Sequence, residues 1–267
     1  MKKGIFKNIA AISLAGIMAL GLMACGKKDA DKTALEKIKA SGKIVMGTSP
    51  DFPPFEFKDA NGNVVGMDVS IAKEIAKDLG VTLEIKEMDF DGLLPALQGK
   101  KFDIILSGMT PKEERKKNVD FSDLYYKTDN VFVVKAADKD KYNTLEDLFG
   151  KKIGVQKGTV QEDLAKEKVT NAQLNSLAKT SDVVMNLKSG KIEAVLLEQP
   201  VAESFVAKNT ELALSKVVIK DQVGGYAIAM TKGETDLQAA INKTIARLEK
   251  EGKLKQFFDE AVTLAGE

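Results

Sequence analysis

"LLPALQGKKFDIILSG" (residues 93–108) and "VVMNLKSGKIEAVLLEQ" (residues 183–199) carry one pattern twice. Each starts as an apolar helical run and stops at a glycine, Gly99 or Gly190. A lysine and an acidic residue follow, then a continuous apolar run that reads as a buried strand. Helix followed by buried strand is the unit of an α/β fold with a mainly parallel sheet. The likeness lies in supersecondary pattern and is not a strict repeat, but it favours two related lobes over one continuous sheet.

The same alternation extends on both sides. "TALEKIKASG" (33–42) reads as a short helix ended by Gly42, and "KIVMGTS" (43–49) as a strand. In "GMDVSIAKEIAKDLG" (66–80), Ile71, Ile75 and Leu79 form a stripe with Ala72 and Ala76 beside it, and Gly80 closes the helix. "VTLEIKEM" (81–88) alternates as a strand, and "KKIGVQKGT" (151–159) is a strand running into a turn. "GGYAIAMTKG" (224–233) is a further strand, followed by two helical stretches, 235–252 and 253–262.

The N-terminus does not belong to this pattern. Lys2, Lys3 and Lys7 precede an apolar run over residues 9–24, which turns polar at "GKKDADK". That is a secretory signal, and it is short against the roughly 20 apolar residues of a membrane span. An uncleaved anchor is the alternative. "LMAC" (22–25) resembles the bacterial lipobox, in which the cysteine becomes the lipidated first residue of the mature protein. Cys25 is the only cysteine of the chain, so no internal disulfide can form. Residues 1–24 are then the signal peptide and 25–36 a tether.

The full chain carries 40 basic and 39 acidic residues; without the three signal lysines the remainder is about two charges negative. Nothing clusters enough positive charge to suggest nucleic acid. The chain has no histidine, which argues against a zinc enzyme or histidine acid–base chemistry, and no cofactor is expected.

Three short stretches point to a ligand. In "SGMTPKEERKKNVDFS" (107–122), Thr110 at N-cap, Pro111 at N1 and Glu113 at N3 predict a capped helix leaving a strand. Ligands of open α/β sheets bind at such strand exits. Arg115 on that helix can grip a carboxylate with a planar fork, which Lys116 and Lys117 cannot; a solvated basic face is the alternative. "GTVQE" (158–162) repeats the device, with Thr159 at N-cap and Glu162 at N3. Glu198 ends a strand, where it could meet an ammonium group or be an ordinary loop residue. Phe52, Phe55 and Phe57 cluster in "SPDFPPFEF", with Phe90 in "MDFDGL". Phe52 is a plausible wall for a side-chain pocket, and any of the others could be core.

From about residue 43 to 264 the chain resembles the bacterial extracellular solute-binding proteins for polar amino acids, the receptors of ABC importers. The resemblance rests on "GTSPDFPPFEF", "GNVVGMDVSIAKEIAKDLG", "DGLLPALQGKKFDIILSGMTPKEERKKNVDFS", "GKKIGVQKGTVQE" and "KSGKIEAVLLEQPVA", in the family's order and spacing. It implies a two-lobed fold with the ligand cleft between lobes. Lobe one would take 37–130 and 226–267, lobe two 131–225, and the lobes would close like a hinge.

The resemblance assigns the ligand carboxylate to Arg115, with backbone groups near Ser107, Gly108 and Thr110. It gives Thr159 and Val160 to the second lobe's contribution. The ammonium falls to Glu198, where the family usually has an aspartate. Phe52 and Phe90 would line the side-chain pocket, and Gln156 sits where some members contact the side chain. Many relatives carry an acid early in the "GTSPDF" loop; here Ser49 stands there and the acid is displaced to Asp51.

Asp51 and Glu56 are the candidates for an acidic wall. The reading therefore leans to arginine or lysine, with glutamine or another polar amino acid as the alternative. A monomer, lipid-anchored at the outer membrane surface and partnered by an ABC permease and ATPase, is expected. Two rivals remain: a cleft enzyme, for which no catalytic pair stands out, and an adhesion or sensing protein.

Overall fold

The computed structural model of this 267-residue chain describes residues 32–220 and 223–266. The signal run and Cys25 lie outside the described residues. The first part of the chain forms α1 (Ala34–Ser41), β1 (Lys43–Thr48), the hairpin β2 (Phe57–Lys58) and β3 (Val64–Val65), and α2 (Met67–Leu79). It continues with β4 (Thr82–Glu87), α3 (Phe90–Gln98), β5 (Ile104–Ile105), α4 (Glu113–Lys116) and β6 (Val119–Lys127). The middle forms β7 (Asn130–Lys135), β8 (Lys152–Gln156), α5 (Val160–Lys168), β9 (Gln173–Leu177), α6 (Thr180–Lys188), β10 (Ala194–Glu198), α7 (Gln199–Lys208) and β11 (Leu212–Ile219). The chain then returns through β12 (Gly225–Thr231), α8 (Thr235–Lys250) and α9 (Lys253–Gly266).

Two five-stranded sheets result, ordered β4-β1-β5-β12-β6 and β11-β7-β10-β8-β9. In each, four strands share a direction and one is reversed. Within the first sheet β12 runs antiparallel to both β5 and β6. Within the second β7 runs antiparallel to both β10 and β11. The reversed strands are the two that enter a lobe from its neighbour, so they start at the edge where the others end. The mainly parallel reading therefore holds for strand direction, while half the pairings in each sheet are antiparallel.

Local signals place the helices. Gly42 and Gly80 end α1 and α2 in the left-handed conformation, with φ of 72° and 71°. Thr33 and Glu36 form a capping box at the start of α1, so residues 33–36, assigned to a tether, belong to that helix. Ile71 and Ile75 of the α2 stripe are fully buried. Truncating either to alanine removes a side chain whose deletion from a core costs about 2–5 kcal/mol.

The capping box read at Thr110 does not form. The helix begins at Glu113 after Lys112, and no side chain caps it. Thr110 is buried, and its carbonyl accepts hydrogen bonds from Lys112 N and from Arg115 Nη1. Burial at the cleft has overridden a local capping preference. The second cap holds, since Thr159 Oγ1 accepts from Glu162 N at 3.3 Å.

Aromatic rings pin the crossing strands together. Phe55 meets Tyr126 and Tyr226 edge-on at 4.9 and 4.8 Å between centroids, and Tyr126 stacks on Phe258 at 5.0 Å. This places the ends of β6 and β12 on a rigid base, from which the lobes face each other.

Candidate binding cleft

The strand ends of both sheets converge on a small cavity. Phe52, Phe90, Ser107, Gly108, Thr110 and Arg115 line it from the first lobe. Gln156, Thr159, Val160, Gln161 and Glu198 line it from the second. All ten residues singled out from the sequence are thus brought together, joined by Gln161.

Arg115 is the cation of this cavity wall, 5% exposed. Its Nη1 donates to Thr110 O at 2.8 Å and its Nη2 crosses the cleft to Gly158 O at 3.0 Å. The guanidinium also lies 5.3 Å from the Phe90 ring centroid, within reach of a cation–π contact. These contacts set the plane of its fork. Glu198, 4% exposed, stands at the end of β10 on the other lobe. The cavity therefore has a cationic wall on one lobe and an anionic wall on the other.

Two glycines let the walls approach. Gly108 has φ +51°, and a Cβ there would meet the Phe52 ring at 3.0 Å. Gly158 has φ +79°, and a Cβ would lie 3.0 Å from that of Asp91 across the cleft. Both positions combine a left-handed backbone with a close neighbour, a combination that favours glycine.

The lobes are shut on this cavity. Lys157 pairs with Asp91 at 2.8 Å, and Lys112 with Asp163, so the charges alternate in sign across the rim. Asp51 Oδ2 accepts from Thr180 N at 2.5 Å at the start of α6.

Residues 44–262 match the family model of the bacterial extracellular solute-binding proteins, family 3. The chain belongs to that family. As a family 3 member it is a solute-binding receptor serving ABC import of polar amino acids, not an enzyme. It is 38% identical to the arginine-binding extracellular protein ArtP of Bacillus subtilis, over 96% of each chain. Among solved structures, the substrate-binding protein AbpA of Streptococcus pneumoniae, bound to L-arginine, is 41% identical with a TM-score of 0.84. That likeness covers 87% of this chain and 99% of AbpA. An ancestral arginine-binding protein bound to glutamine is 40% identical with a TM-score of 0.77, over 85% and 99% of the two chains. These values establish the two-lobed fold of the family 3 receptor.

The acidic wall is the correction. Neither Asp51 nor Glu56 is among the residues lining the cavity. Asp51 lies on the seam between lobes, and burial pushes its carboxyl up to about 6. Glu56 is buried behind the cavity, where its Oε1 accepts from Ser107 Oγ at 2.8 Å, and Ser107 Oγ in turn accepts from Ser49 N at 3.0 Å. Beside it Asp68 Oδ2 accepts from Gly108 N at 3.0 Å and Tyr125 OH at 2.9 Å.

The two acids interact behind the cavity. Glu56 Oε2 and Asp68 Oδ1 are the oxygens of the pair left without another donor, and one proton shared between them would satisfy both. Burial, then the charge of Asp68, holds the Glu56 carboxyl well above its usual range. Burial pushes Asp68 up to about 6, against the donors from Gly108 and Tyr125. The pair thus anchors Ser107 and Gly108 from behind. Asp68 sits in a sequence stretch that reads simply as a helix start, so its role was not legible there.

Gln161 is the cavity residue the sequence reading missed. It is 3% exposed, and its Nε2 donates to Asn130 Oδ1 at 2.7 Å. Its signal was a long polar side chain on the first turn of α5, directly beside Thr159 and Val160.

Proposed function

We propose that this receptor captures a free polar amino acid, arginine or lysine first, and delivers it to an ABC permease and its ATPase. The observation that carries the reading is the convergence of Arg115 from one lobe and Glu198 from the other on a single cavity between them. Arg115 takes the α-carboxylate with Ser107, Gly108 and Thr110, and Glu198 takes the α-ammonium. Thr159 and Val160 close the second lobe's side, Phe52 and Phe90 sandwich the side chain, and Gln156 meets its far end. Burying a zwitterion between two shut lobes selects a ligand whose charges are both paired, since an unpaired buried charge is costly.

Basic ligands are supported by the arginine named for ArtP and AbpA. Glutamine is the second reading, supported by the glutamine-bound ancestral protein. Lobe one comprises 37–130 and 226–267 and lobe two 131–225, the cleft opening at the two crossings. Cleavage before Cys25 and lipidation there tether the monomeric receptor to the outer membrane surface. Acyl chains provide about 0.8 kcal/mol per buried methylene.

Calorimetric titration of the ligand-free protein with the twenty amino acids tests this. Tight binding of arginine or lysine is expected. A preference for glutamine moves the reading to neutral hydrogen bonding, and silence across the panel refutes it.

A further inference from the structure

Gln156 lines the cavity, but its amide is not free to present either end to a ligand. Its Nε2 donates to Ala178 O at 3.0 Å and to Asp51 Oδ1 at 3.4 Å. Among the described residues no donor reaches its carbonyl oxygen. Asp51 is fixed in turn, because its other oxygen accepts from the backbone at Thr180, on the first turn of α6. Asp51 belongs to the first lobe and both Gln156 and Thr180 to the second, so this arrangement exists only when the cleft is shut.

We infer that Asp51 is a specificity-positioning residue: as the lobes close it locks the Gln156 amide so that its carbonyl oxygen faces the ligand's side-chain end. An ionised carboxylate can only accept hydrogen bonds, as can the carbonyl of Ala178. Two acceptors on one side of a primary amide demand its NH2 group there, which leaves the oxygen for the cavity. With its carboxyl at about 6, Asp51 is ionised at neutral pH. The far end of the cavity then offers an acceptor, and it penalises any ligand that points an acceptor back at it. Side chains ending only in donors, a guanidinium or an ammonium, are selected, and the acid that does the selecting never touches them. The inference rests on the amino-acid receptor reading and specifies how its side-chain end is chosen.

Arginine and citrulline separate the possibilities, because citrulline keeps the length and planarity of arginine but replaces a terminal donor by a carbonyl oxygen. Affinities for both are measured by calorimetry on the ligand-free wild type, Asp51→Asn, Gln156→Met and the double variant. Wild type is expected to favour arginine at least tenfold. Asp51→Asn should lower that ratio at least fivefold while unfolding remains cooperative. Asp51→Ser replaces it if the asparagine variant does not fold. Gln156→Met should lower the ratio as well, and adding Asp51→Asn to it should change nothing further.

An unchanged ratio in Asp51→Asn overturns the inference, and so does equal binding of the two ligands by wild type. An equal drop in the Gln156→Met background also overturns it, since Asp51 would then act by charge through space and not through the amide. Absence of binding of any amino acid by wild type would instead remove the receptor reading itself.

Discussion

Replacing either of the two buried acids behind the cavity by its amide changes few atoms, yet the structure requires different outcomes. Burial and the charge of Asp68 favour the protonated form of Glu56, so Glu56→Gln swaps one neutral group for another of the same shape. Its oxygen still accepts from Ser107 Oγ and its NH2 still donates to Asp68. The cost is one extra amide hydrogen, about 1 kcal/mol at the low end for a buried unpaired donor. Asp68→Asn instead discharges the acceptor of two bonds, from Gly108 N and Tyr125 OH. Bonds to charged groups contribute about 1.5–3 kcal/mol and neutral ones about 0.5–1.5, so the two losses alone approach 2–3 kcal/mol.

The same pair sets a pH dependence. Folding holds on Glu56 a proton that the unfolded chain releases once pH exceeds its ordinary value of 4.5. The folded state therefore binds more protons, and the associated stability is full below that pH and is lost as pH rises through the folded value. Glu56→Gln should flatten this decline by about 1.4 kcal/mol per pH unit, one proton's worth. Urea unfolding of ligand-free protein between pH 5 and 7.5 reads both quantities. Equal destabilisation by the two amides at pH 7, or an unchanged slope in Glu56→Gln, would refute the shared proton.

Arg115→Ala should leave a folded protein that binds arginine at least a hundredfold more weakly, since a fork of two charge-assisted bonds contributes about 3 kcal/mol or more. Arg115→Lys, which keeps charge but not the fork, should lose less, and unchanged affinity in either variant rules out the carboxylate role. Glu198→Gln should weaken binding about tenfold by calorimetry, and retained affinity would remove Glu198 from the ammonium site. Ligand at a hundred times its Kd adds about 2.7 kcal/mol to the folded state. Thermal unfolding should therefore shift upward by about 5–10 °C in wild type, and no shift is expected in Arg115→Ala. The rim pair Lys112–Asp163 is exposed, so Lys112→Ala should speed ligand release only a few-fold, by up to about 1 kcal/mol. Stopped-flow dissociation at two salt concentrations checks that, and a salt-independent effect would contradict an ion-pair origin.

Much of the molecule was decided within short spans of chain. Helix stops at Gly42 and Gly80, the α2 stripe and the Thr159 cap need only neighbours a few residues away, so they are legible in the string of residues alone. The alternation of helix and strand likewise imposes the α/β class, and the resemblance to family 3 named ten of the eleven cavity residues, all but Gln161. Other features depend on groups that meet only when distant segments pack. Thr110 lost its capping role because the fold buries it at the cleft. Asp51 and Glu56 carry the charge an acidic wall would need, but register and packing send one to the lobe seam and the other behind Ser107. Asp51 meets Thr180 across 129 positions and Gln156 across 105. Such contacts leave no periodicity to read, because they arise from two sheets whose strand ends converge and from lobes that shut. Residue identity determined which chemistry this chain could bring to a ligand; the closed tertiary structure decided which side chains touch it and which act from behind.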